Sequence, residues 1–77
     1  VKSITISFDI MSLDEELYSG LIDYIERHPG NSKILFKIKD YEHEFTLELT
    51  SKKREIEVTK ELLDFIKEFE NIEYKLN

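Results

Sequence analysis

The 77 residues contain no cysteine and no tryptophan, a single proline, a single methionine and two glycines. Without cysteine there is neither a disulfide nor a thiolate metal site, and an intracellular, cytoplasmic setting is the expectation. The two histidines, His28 and His43, stand too far apart in sequence to make a metal site without help from carboxylates. With glycine only at positions 20 and 30, neither G-x-G-x-x-G nor a P-loop can be written, and a G-x-S-x-G elbow is absent. No apolar run approaches the ~18 residues of a membrane span. The opening VKSITISFDI alternates where a signal peptide would carry a hydrophobic block. It begins on valine rather than methionine, which suggests an excised domain, in preference to a processed product.

Positive charge is in the minority, 11 lysines and arginines against 17 acids. The net charge is −6, and both ends of the chain are acidic. Residues 1–32 carry six acids against two bases, residues 61–77 five against two, and the middle is near balance, with KKR at 52–54 its one basic run. Such a chain repels nucleic acid on average. Its length makes one domain, residues 1–77, burying roughly 60% of its unfolded surface.

What is present is periodicity. In ITISFDI, residues Ile4, Ile6, Phe8 and Ile10 fall on one side and Thr5, Ser7 and Asp9 on the other, the mark of a half-buried strand. Residues 11–30 then read as a helix with Ser12 and Glu15 as a capping box and Asp14, Glu15 and Glu16 complementing the helix dipole. Leu13, Leu17, Leu21, Tyr24, Ile25 and His28 form its apolar stripe, with Tyr18 and Ile22 at the edge. Pro29 ends the helix and Gly30 is placed to close it in the left-handed conformation, so His28-Pro29-Gly30 is punctuation rather than chemistry.

KILFKIKD and EFTLELT are two more alternating runs joined by a polar turn, an antiparallel hairpin with Ile34, Phe36, Ile38, Phe45, Leu47 and Leu49 facing inward. Lysines lie across from glutamates on its outer face, a favourable cross-strand pairing. SKKREIEV either extends the second strand or folds back as a short one carrying Ile56 and Val58. Thr59 caps a second amphipathic helix, and Ile72, Tyr74 and Leu76 alternate in a last strand. The order is β-α-β-β-α-β. The expected fold is α+β, a ferredoxin-like split with a four-stranded, mainly antiparallel sheet and both helices on one face.

No constellation for catalysis, metal or cofactor binding emerges. The carboxylates at 14–16 are accounted for by the helix start. Single-stranded nucleic acid would need aromatic side chains on the open face of the first and third strands, and Thr5, Ser7, Thr46 and Glu48 stand there instead. An acylphosphatase-like enzyme would want an arginine after the first strand, where DIMSLD has none. Apolar surface is in surplus, however: Tyr18 and Ile22 on the first helix and Leu63 on the second exceed the needs of one small core, and are the residues expected to contact a protein partner.

The second half carries a resemblance. Pro29-Gly30, the strands Ile34-Phe36-Ile38 and Phe45-Leu47-Leu49, then Val58, Thr59, Leu62-Leu63 and a closing Ile72-Tyr74-Leu76 together look like the C-terminal domain of the bacterial DNA polymerase III alpha subunit. The first strand and helix fit more loosely but in the right order. Where relatives often place a glycine before the last strand, this chain has Glu70-Asn71. The resemblance implies a domain without catalytic residues in a chain that is elsewhere a DNA-directed DNA polymerase, attached to the tau subunit of the clamp loader. The alternative reading is a ferredoxin-like small-molecule-sensing or regulatory domain.

Overall fold

The computed structural model describes residues 2–51 and 54–77; Lys52 and Lys53, and so most of the basic run, lie outside the described residues, as does Val1. Six main elements follow one another: β1 (Ser3–Asp9), α1 (Glu15–Arg27), β2 (Pro29–Asp40), β3 (Phe45–Thr50), α2 (Lys60–Lys67) and β4 (Ile72–Leu76), with a one-turn 3-10 helix at Ile10–Ser12 after β1. This is the expected α+β class and the expected β-α-β-β-α-β order.

Alternation sets the faces, and the pairing confirms them. Ile4, Ile6 and Phe8 of β1 lie opposite Ile34, Phe36 and Ile38 of β2 in a parallel register, and opposite Leu76, Tyr74 and Ile72 of β4 in an antiparallel one. β2 continues into β3 as an antiparallel hairpin with Phe36 opposite Leu49 and Ile38 opposite Leu47. Two of the three pairings are thus antiparallel, and the sheet order is β3-β2-β1-β4. The split applies to the second half only: β3 and β4 run parallel at opposite edges with the other two strands between them. β1 and β2 are immediate neighbours, so the first β-α-β half is closed instead. Alternating runs specify which face a residue takes, not which strand sits beside it.

The core lies between this sheet face and the helices: Ile4, Ile6, Phe8, Ile34, Leu17, Leu21, Tyr24, Leu62 and Ile66 are buried, together with Ile56. Ile56 sits in an isolated bridge with Pro29 and Ser32, the second of the two alternatives for SKKREIEV reduced to one residue. Gly30 permits this. Its N–H donates to the Glu55 carbonyl at 3.1 Å, and a Cβ at position 30 would stand 2.5 Å from the Glu57 nitrogen. Its role is therefore close approach within a strand, and not the left-handed closure expected, since no glycine has a positive φ.

The helix ends follow local chemistry. Asp14, not Ser12, caps α1, accepting from the Leu17 N–H at 2.7 Å; the 3-10 turn uses up Ser12 and leaves Leu13 outside the helix and exposed. Thr59 caps α2 as expected, accepting from the Leu62 N–H at 3.3 Å. Before β4, Asn71 holds φ 63°, the conformation a glycine would supply there and one that asparagine tolerates. The two ends of the chain meet: the N–H groups of Lys2 and Ser3 both donate to the Asn77 carbonyl, and Asn77 donates back to Ser3.

Candidate protein-interaction surface

Helix placement decides which apolar residues remain in water. Gly20 of α1 faces α2, because a Cβ there would collide with the Phe65 ring. Residues two apart on a helix point about 200° apart, so Tyr18 and Ile22 face away from α2, and Leu63, two before Phe65, faces away from α1. α2 in turn packs against β4. The two helices therefore cover β4, β1 and part of β2, and β3 projects beyond them.

The consequence overturns one expectation. Phe45, Leu47 and Leu49 share the core face of the sheet through their pairing with Asp40, Ile38 and Phe36, yet they are 53%, 47% and 47% exposed. Two helices each about 10 Å wide do not cover the far edge of this sheet when α1 bridges adjacent strands. Tyr18 (58% exposed) and Ile22 (41%) flank the open strip from the α1 side. Of the three residues singled out in the sequence, Tyr18 and Ile22 are exposed on the side of α1 turned away from α2. Leu63 is half-buried against the core on the opposite flank of the helix pair. Phe45, Leu47 and Leu49, expected inside, take the inner face but stay uncovered, because alternation marks a face without showing whether anything lies over it.

The charges around the strip are asymmetric. Glu15, Tyr18, Ile22 and Glu26 stand at i, i+3, i+7 and i+11 along one ridge of α1. At the hairpin end Asp40 shares the apolar face, next to Phe45 and to the loop residues Glu42 and Glu44. The lysines of β2 (Lys33, Lys37 and Lys39) alternate onto the other side, where Lys37 stands 3.8 Å from Glu48. Arg54, in the cleft beside Ile25 and Pro29, is the described base nearest the far end of the strip.

Both histidines have structural places. His28 ends α1, its ring stacked on Tyr24 with centroids 4.1 Å apart and its N–H donating to the Tyr24 carbonyl. The Tyr24 hydroxyl lies 2.6 Å from the Glu57 carbonyl and 2.7 Å from Thr59 Oγ1, pinning the 55–59 segment beneath the helix end. His43 closes the hairpin loop: its N–H donates to Asp40 Oδ1 at 3.1 Å and its Nδ1 lies 2.9 Å from Oδ2. The backbone hydrogen bond from His43 is the main reason that the Asp40 carboxyl titrates below its ordinary value. Among the described residues no three of His, Asp and Glu assemble as metal ligands, and no helix is long and apolar enough to cross a membrane.

The reverse sheet face presents Thr5, Ser7, Leu35, Lys37, Thr46, Glu48 and Glu73, with no ring on any strand. Its strands therefore supply no row of rings on which bases could stack; the one exposed ring beside it among the described residues is Tyr41 of the hairpin loop, next to Ser7, Asp9, Lys39 and Glu73. What the molecule offers is an uncovered apolar strip with an acidic border. No curated protein and no solved structure shows significant similarity to the sequence. The family model for the C-terminal domain of the DNA polymerase III alpha subunit does match, over residues 4–77, nearly the full length and both halves of the fold described above, and the chain belongs to that family.

Proposed function

We propose that this domain is a non-catalytic protein-interaction module of a replicative polymerase alpha subunit, tethering the polymerase to the tau subunit of the clamp loader. The observation that carries the reading is the exposed apolar strip on β3, bordered by Tyr18 and Ile22. A contiguous apolar surface of this kind marks a contact with another macromolecule. The net charge of −6 and the lack of any ring on the strands of the reverse face favour a protein over nucleic acid in that role. Membership of the polymerase family supplies the setting, DNA replication.

Titration calorimetry between the tau subunit and a polymerase alpha chain carrying this domain tests the reading. A saturable complex that weakens at least tenfold when Tyr18 and Ile22 are both changed to serine is expected, as loss of a contact centre is worth about 2 kcal/mol or more. Undiminished tau binding by an alpha chain lacking residues 1–77 sinks it.

A further inference from the structure

We infer that the strip over β2 and β3 is a seat for a single amphipathic helix with basic flanks, supplied by the protein partner; the identity of that partner, but not the seat, rests on the function proposed above. Three features of the molecule select this occupant.

The first is shape. A strand added to the free edge of β3 would pair its backbone but leave Phe45, Leu47 and Leu49 as bare as before, because their side chains rise from the sheet face. Only a body lying over that face covers them. The open width, from the outer side of α1 across β2 to β3, is about two strand spacings, on the order of 10 Å, which is the distance at which helices pack. The six residues of β3 span about 20 Å, matched by roughly 13 residues of helix.

The second is area. Half-exposed side chains of this size leave on the order of 100 Å² each in water, so Tyr18, Ile22, Phe45, Leu47 and Leu49 present about 500 Å². That falls short of the roughly 800 Å² per partner of a stable globular interface. It argues against a second copy of this chain.

The third is charge. Asp40, Glu42 and Glu44 gather at the hairpin end of the strip, outnumbering Lys39 at that corner. Two copies placed face to face would oppose these acids, whereas lysines or arginines flanking an apolar stripe would meet them. The far end pairs Arg54 with Glu55 and is balanced, so the basic flank of the occupant belongs towards the acids of the hairpin.

Two arms test this, both on the polymerase alpha chain carrying the domain. In one, tau binding is measured for Phe45→Gln and Leu47→Gln, with Thr46→Gln on the reverse face as control. The half exposure of Phe45 and Leu47 spares the fold. A loss of at least tenfold for the first two and less than twofold for the control is expected. In the other, the probe is a fluorescent 14-residue helical peptide with a leucine stripe and lysine flanks, compared with its glutamate-flanked counterpart. The lysine peptide should bind at least tenfold tighter than the glutamate one, and Leu47→Gln should abolish the difference. If the wild-type chain fails to bind tau, the tethering reading falls and the peptide alone decides the seat. Tau binding indifferent to Leu47→Gln, with no peptide bound, overturns the seat and leaves tethering intact. Equal affinity for both peptides overturns the basic partner. Self-association removed by Leu47→Gln would make a second copy the occupant and overturn the helix.

Discussion

Gly30 shows how much one missing methyl group can organise. Ile56 enters the core only because the 55–57 backbone passes against a residue without a Cβ, and the hydrogen bonds from Gly30 to Glu55 and from Glu57 to His28 fix that crossing. The neighbouring atoms are backbone, which cannot rotate aside. Gly30→Ala should therefore destabilise the chain by about 1–3 kcal/mol, as overpacking of a filled site does, read as a lower urea midpoint. Glu44 is the opposite case. It holds φ 55° in the hairpin loop with no side-chain reason for it, so Glu44→Gly should stabilise by up to about 1 kcal/mol, seen as a higher Tm. Asp40 makes the same loop sensitive to acid. Its carboxyl titrates below the ordinary 3.8, first because of the His43 N–H, so the folded state binds its proton less readily than the unfolded chain. That contribution is complete above pH about 4 and is lost as pH falls through the folded value. Asp40→Asn should consequently flatten the decline in stability between pH 5 and pH 2 relative to the unaltered chain.

At the scale of elements, β2 and β3 look alike in sequence and differ in energetics. Ile34 is wholly buried and Leu47 half-exposed, although both sit at inward positions of alternating runs. Ile34→Ala should cost about 2–5 kcal/mol and Leu47→Ala less than about 1, a contrast that chemical denaturation of the two variants resolves. The same pair marks the limit of what could be read from the residues. Period-two patterning identified all four strands and their inner faces, and the Thr59 cap located α2 to the residue. The neighbours of each strand, and hence the closed first half and the bare third strand, depend on long-range pairing that no local pattern encodes. Asp14 displaced Ser12 as the cap because an intervening 3-10 turn, held by Asp9 accepting from the Met11 N–H, consumes the residues before it. Of the surface, Tyr18 and Ile22 were legible as excess width on a helix stripe. Leu63 was equally wide of its stripe, but the side of α2 it occupies packs against the core.

Across the whole molecule, the two faces of the sheet have separate characters. One is half core and half apolar strip; the other mixes threonine and serine with lysines and glutamates around a single apolar residue, Leu35. A module built this way can engage a partner on its open half without disturbing the helices that hold it together. One further property follows from the closure of the first and last strands. Because residues 2 and 77 are already hydrogen-bonded neighbours, a short glycine bridge between them, with new ends opened in the exposed Tyr41–Glu44 loop, gives a circular permutant. Its far-ultraviolet circular dichroism should match that of the parent chain. In topological terms the domain closes on itself along the seam between its first and last strands.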